Sequence, residues 1–235
     1  MKKIVITGAS SGVGAGVASL LVKQGHTVIG VARSKDKLEA LKKQLENEKG
    51  MFHCCVGDLT KSNFENDIKR YINQLGLDQV DVLINNAGYL VNKPFGELSM
   101  SDWQAVYDVN VFGPVRLIRS LYALLEKSSE SHILNISSIG GVNGTDKFPG
   151  LSAYSSSKGA LSILTEVLGK EFAKDGVHVN ALDLGSVQTE MLEKAFPEYR
   201  SPTTVEQMAR FIAMFALNGQ EVCNGKNIPI ALTSV

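Results

Sequence analysis

Cysteine is scarce in this chain, and the little there is excludes two roles. The three cysteines, Cys54, Cys55 and Cys223, include an adjacent pair that a strand would send to opposite faces, and no spacing among them suits a zinc site. No metal centre is expected, and reduced thiols fit a cytoplasmic location. Charge of one sign is lacking as well: 24 basic and 24 acidic residues cancel, which removes the electrostatic ground for a nucleic-acid or anionic-membrane partner. Long apolar runs are also missing. The opening run ends at Thr7-Gly8, well short of a secretory segment, and nothing later approaches the ~18 apolar residues of a membrane span. No Pro/Ser-rich linker breaks the 235 residues, of which 44% are hydrophobic, so one domain (1–235) with a full core is expected. These absences leave a small molecule, or a second copy of the chain, as partner.

Strands alternate with helical patterns throughout. Lys3 to Ile6 runs into Thr7-Gly8-Ala9-Ser10-Ser11-Gly12-Val13-Gly14 and then a helical pattern through Leu20, Leu21 and Val22. Glycines at a strand-to-helix turn let backbone approach a pyrophosphate, and the helix start offers free N–H groups to the anion. After Gly25 the second strand, His26 to Val31, ends in Ala32-Arg33-Ser34-Lys35. An acid here would bind the ribose 2′-hydroxyl of NAD; an arginine fork and a hydroxyl instead suit the 2′-phosphate of NADP. Asp36 competes for that place, although with Ser34 as N-cap it falls in the first turn of a helix. NADP(H) is therefore expected over NAD(H). The third strand, Met51 to Val56, ends at Gly57-Asp58-Leu59, where Asp58 either meets the adenine or caps the next turn before a helix from about Lys61 to Leu75. The fourth, Val80 to Ile84, ends in Asn85-Asn86-Ala87-Gly88, which leaves room for a ribose. Ser99 or Ser101 begins a long helix interrupted by Asn110, a polar residue between valines that calls for a specific partner. The fifth strand, Ile133 to Ile136, is followed by Ser137-Ser138. The sixth, His178 to Leu182, leads to Asp183-Leu184-Gly185, and a short seventh spans Ile228 to Leu232. The fold class predicted is α/β: a doubly wound, mostly parallel sheet of about seven strands with helices on both faces.

Between the fifth and sixth strands lies Tyr154-Ser155-Ser156-Ser157-Lys158, near the start of a helix running from Ser152 through Phe172. Residues i and i+4 share a helix face. A free phenol titrates near ~10, and using it near neutrality means lowering that by ~3 units, or ~4 kcal/mol. One positive charge about 4 Å away at an effective dielectric of ~20 supplies ~4 kcal/mol. By itself the pair equally describes a tyrosine packed beside a solvated lysine.

The ordered set Thr7 to Gly14, Asn85 to Gly88, Asn110, Ser138 and Tyr154/Lys158 resembles the short-chain dehydrogenase/reductase family nearly end to end. The resemblance implies a catalytic set of Asn110, Ser138, Tyr154 and Lys158. Ser138, with Ser137 as rival, would hold the substrate oxygen, Tyr154 would pass the proton, Lys158 would lower its pKa and hold the nicotinamide ribose, and Asn110 would position a water linking Lys158 to solvent. Cofactor contacts are expected from Gly8, Ser10, Ser11, Gly12, Val13 and Gly14; from Arg33, Ser34, Asp58 and Leu59; from Asn86, Ala87 and Gly88; from Tyr154 and Lys158; and from Gly185, Val187 and Thr189, the threonine matching the residue that holds the nicotinamide carboxamide. Three departures stand out. Leu184-Gly185 replaces the family's Pro-Gly, the loop from Ser138 to Tyr154 is a few residues longer, and the terminal Asp-Gly-Gly is missing.

The function expected is hydride transfer between NADP(H) and a carbonyl or alcohol, with a substrate lid at about 186–202. A catalytically silent NADP(H)-binding regulator of the same fold is the alternative, and an extended sugar-nucleotide epimerase lacks the C-terminal substrate domain it would need. A homodimer or homotetramer is expected through the helices around 110–125 and 154–172, with Leu117, Leu121, Leu161 and Leu168 either supplying apolar surface or facing only the sheet.

Overall fold

The computed structural model describes residues 1–232. Short runs of β-branched and aliphatic residues form seven strands among the described residues: β1 (Lys3–Thr7), β2 (Thr27–Ala32), β3 (Met51–Val56), β4 (Val82–Asn85), β5 (His132–Ser138), β6 (His178–Leu184) and β7 (Lys226–Ile230). They build one sheet of order β3-β2-β1-β4-β5-β6-β7 in which every neighbouring pair is parallel. The central strands are apolar without alternation because both sheet faces are covered. The helices are α1 (Gly12–Lys23), α2 (Lys35–Gln44), α3 (Phe64–Gln74), α4 (Met100–Tyr107), α5 (Gly113–Leu125), α6 (Ser152–Glu171), α7 (Glu190–Ala195) and α8 (Val205–Asn218). Val17, Leu21, Leu38 and Ile212, from α1, α2 and α8, pack on one face of the sheet. Ile68, Leu117 and Leu121, from α3 and α5, pack on the other, with Leu168 of α6 beside them.

Successive strands leave β1 toward one edge and β4 toward the other. Their carboxyl ends therefore part between β1 and β4 and open the crevice in which doubly wound sheets hold ligands. Thr7 fixes that opening, its hydroxyl accepting hydrogen bonds from the N–H groups of Asn86 (3.0 Å) and Ala87 (2.9 Å). Asn85 donates to Asn135 (2.8 Å), which donates to Thr165 of α6 (2.9 Å), so a buried amide chain ties β4 and β5 to the helix carrying Tyr154.

Several expectations need correction. The helix expected from Lys61 begins at Phe64, because turns closed by Lys61 N–H to Asp58 and Phe64 N–H to Lys61 occupy the preceding residues. The long helix through Asn110 is broken by a π-turn at Asp108–Phe112. Leu117 and Leu121 are fully buried against the sheet and Leu161 is 1% exposed, so none of the three offers surface to a partner. β7 runs from Lys226 rather than Ile228 and ends at Ile230. The expectation about the terminal Asp-Gly-Gly falls on residues 233–235, outside the described residues. No helix among the described residues is long and apolar enough to cross a membrane.

Candidate active site

The crevice is a cleft of about 1370 Å³ along the carboxyl ends of the strands. Its first wall is the turn after β1. Gly8 and Gly12 take the left-handed conformation (φ +69° and +54°), and Ser11, N-cap of α1, makes no side-chain capping bond. The first N–H groups of α1 are thus left for a ligand, the arrangement that binds phosphate. Gly8, Ser10, Ser11, Gly12 and Val13 line the cleft as expected. Gly14 does not: it is buried, and a Cβ there would run into the Gly8 carbonyl oxygen and the Asn86 amide. Its absent side chain brings α1 close to the turn, which makes it part of the cradle without touching the ligand.

Arg33, Ser34, Asp58 and Leu59 line the far end, joined by Lys37, which the sequence reading did not single out. Ser34 does cap α2, accepting from Lys37 N–H at 3.4 Å, and Asp36 lies in the first turn. Asp58 caps its own turn through Thr60, whose N–H and hydroxyl donate at 3.0 and 2.8 Å. Burial pushes this carboxyl up, but the two Thr60 bonds, with Arg33 and Lys61, bring it below the usual carboxylate range. Two cations, a hydroxyl and the glycine cradle suit a dinucleotide with a 2′-phosphate, so the residues present fit NADP(H).

At the other end Asn86, Ala87 and Gly88 face Ser138, Tyr154 and Lys158 across the cleft, with Gly185, Val187 and Thr189 beside them. Ser138 ends β5, and its hydroxyl accepts from Gly140 N–H (3.2 Å). It stands near enough to Tyr154 to favour the ionised phenol. Ser137 also reaches the cleft wall, but it is buried and its hydroxyl donates to the Lys158 carbonyl (3.1 Å). Lys158 is 3% exposed; its ammonium donates to the Ile136 carbonyl (2.8 Å) and stands 5.7 Å from the centroid of the Tyr154 ring.

The expected lowering of Tyr154 by Lys158 is not what the geometry gives. Burial pushes the phenol above its ordinary value, and the nearby Ser138 is what pulls the other way. Burial also drives the Lys158 ammonium down to about 8, opposed by Asp183. Asn110 is fully buried and does not itself line the cleft. Its side chain accepts from Tyr89 N–H (2.8 Å) and donates to the Tyr89 carbonyl (3.0 Å) and to Ser157 (2.9 Å). It clamps the strand-end loop to α6.

Leu184, in the place of the family's proline, extends β6 by pairing with Ser138 and Ile230, and Gly185 N–H donates to the Ile230 carbonyl (2.8 Å). Thr189 caps α7, its hydroxyl accepting from Leu192 N–H (3.3 Å). Asn92, from the loop after β4, donates to the Ala195 carbonyl at the end of α7 (2.8 Å). Phe148, from the long loop before α6, packs on Phe196 with ring centroids 6.2 Å apart. Tyr89, Leu90, Leu151 and Met191 complete a largely apolar mouth.

Such a cleft receives a dinucleotide along its length and a reacting group beside Tyr154, the arrangement of a dinucleotide-dependent oxidoreductase. The chain belongs to the short-chain dehydrogenase family, whose model matches residues 2–200. It is 34% identical over 190 residues to an uncharacterised oxidoreductase of Staphylococcus saprophyticus, covering 80% of this chain and 79% of that one. It is 31% identical over 208 residues to a 3-oxoacyl-[acyl-carrier-protein] reductase of Thermotoga maritima, covering 88% and 82%. Among solved structures it resembles a candidate NAD(P)-dependent gluconate 5-dehydrogenase of Beutenbergia cavernae with bound NADP at low occupancy: TM-score 0.86, 27% identity, 97% and 94% of the two chains covered.

Proposed function

We propose that this protein is an NADP(H)-dependent carbonyl reductase or alcohol dehydrogenase, one catalytic domain with residues 186–202 as its substrate lid. The observation that carries the reading is the meeting of Ser138, Tyr154 and Lys158 at one end of a cleft whose other end holds Arg33, Ser34 and Lys37. Bound in that cleft, NADP(H) supplies or accepts a hydride. The α1 N-terminus holds its pyrophosphate, Arg33 and Ser34 its 2′-phosphate, and Lys158 its nicotinamide ribose. Ser138 donates to the substrate oxygen and orients it, while Tyr154 carries the proton. Because burial keeps the phenol protonated, Tyr154 is poised as the acid that reduction of a carbonyl requires. Gly88 leaves room between Lys158 and Asn110, either of which would stand 3.8 Å from a Cβ placed there.

The test is loss of NADPH absorbance against a broad panel of ketones, quinones and sugars, run beside Tyr154→Phe. Removing a general acid should lower turnover by ~100-fold or more while leaving NADPH binding nearly unchanged. Activity within ~10-fold of wild type refutes the role of Tyr154. A wild type that binds NADPH and turns over nothing on the panel would favour the silent regulator instead.

A further inference from the structure

Directly beneath the reactive cluster β6 delivers a carboxylate that the roles above do not use. Asp183 has no solvent exposure and lies in register with Ser137 of β5. Its Oδ1 accepts from the Ser162 hydroxyl (3.2 Å), and its Oδ2 has no hydrogen-bond partner. Ser162 also bonds the Lys158 carbonyl (3.1 Å) and stands 3.1 Å from the Ser137 hydroxyl, which bonds the same carbonyl. Two serines thus tie the carboxylate to the turn of α6 that presents Lys158. The ammonium, for its part, is 3% exposed and donates to a neutral carbonyl. A charge buried with only neutral company is costly, and opposite charge nearby offsets the cost. Strand pairing uses only the backbone of residue 183, and Ser162 needs no more than a neutral acceptor, so neither accounts for an acid there.

We propose that Asp183 is a positioning residue, the buried counter-charge that keeps Lys158 an ammonium beside Tyr154. The proposal rests on the reading of Tyr154 and Lys158 given above. Burial drives Lys158 down to about 8 and Asp183 up, and each is a charge that opposes the shift of the other. The hydrogen bond from Ser162 also favours the ionised carboxylate. The two groups therefore tend to charge together. The neighbouring groups add little: Glu166, on the same helix, pushes Asp183 further up and accepts from Asn227 (2.6 Å). Tyr154 is a neutral phenol, β5 contributes Ser137, and β7 presents Pro229 opposite Asp183, with Asn227 two residues before it.

The test replaces Asp183 by its uncharged near-isostere, Asp183→Asn, in the full-length chain. Lys158 is titrated directly by NMR of lysine-labelled protein, its signal assigned from Lys158→Met. The expected result is a downward move of the Lys158 titration by about one pH unit or more, with the alkaline limb of kcat/KM moving alongside. A Lys158 titration that stays in place overturns the proposal, as does a lowered melting temperature with no change in that titration. Should Asp183→Asn fail to fold, Ser162→Ala removes one hydroxyl that favours the ionised carboxylate. It should move Lys158 in the same direction by less, and no movement overturns the proposal there too. Absence of turnover in the wild type would refute the proposed function alone, since the NMR titration still decides whether Asp183 sets the charge of Lys158.

Discussion

Lowering the pH should destabilise this protein in part through one buried imidazole at the amino end of a central strand. His132 opens β5 with no exposure, its Nδ1 3.1 Å from the Ala216 carbonyl and its Nε2 3.1 Å from the Asn180 amide nitrogen. The neutral ring satisfies both contacts, donating from Nδ1 and accepting at Nε2; a second proton would set two donors against each other. Burial holds its pKa down to about 4, with the Ala216 bond resisting and His178 and Lys2 assisting. In the unfolded chain the same group titrates near ~6.5. Between those values the unfolded state binds a proton that the folded state refuses, so stability is complete above ~6.5 and lost as pH falls toward the folded value. The gap of about 2.5 units corresponds to about 3 kcal/mol, of which about 2 kcal/mol is lost by pH 5. Urea unfolding of wild type and His132→Gln at pH 7.5 and pH 5 measures it, because other acid-sensitive groups are common to both proteins. The stability difference between the two should shift by about 2 kcal/mol against wild type on going to pH 5. Equal acid losses in the two proteins would refute the assignment.

Two further outcomes are expected. Arg33→Asp should weaken NADPH by roughly 10- to 150-fold, the loss of one charge-assisted contact of ~1.5–3 kcal/mol, and should spare NADH; equal dissociation constants for the two cofactors in wild type would refute the 2′-phosphate site. Ile163 and Val167, 61% and 47% exposed and one turn apart on α6, are the residues through which copies of this chain should pair, in place of the buried leucines. Light scattering at micromolar concentration should then give a multiple of the chain mass, and a monomeric mass would count against pairing.

Much of this site is local in sequence, and that is why it could be read there. The glycine turn sits at the first strand-to-helix junction, Ser34 caps the helix it precedes, and Tyr154 and Lys158 are four residues apart on one helix. Ser138 was implied by the family resemblance, since its place at a strand end is shared with Ser137. Features made by distant segments could not be read this way. Asp183 looked like the end of an apolar strand, because its approach to Ser162 depends on how β5, β6 and α6 meet. The break around Asn110 was visible only as a polar interruption; the partner of its side chain is the Tyr89 backbone, 21 residues away. Counting charges near Tyr154 suggested a lowered pKa, but burial, which a sequence does not display, decides the direction. Leu117 and Leu121 show the same difficulty: an apolar helix face suits a sheet or a partner equally well, and only packing tells them apart.

The two attachments of α7, one polar through Asn92 and one aromatic through Phe148 and Phe196, come from two loops that are themselves joined where Lys93 N–H donates to the Gly150 carbonyl (3.1 Å). Any movement of that helix away from the cleft would loosen both attachments. With α7 as part of the proposed substrate lid, the residues at the mouth would then also set how long a ligand stays. A change in the length of the loop before α6 would then alter selectivity and residence time together, so variants chosen for a new substrate at that loop should also arrive with a changed turnover rate.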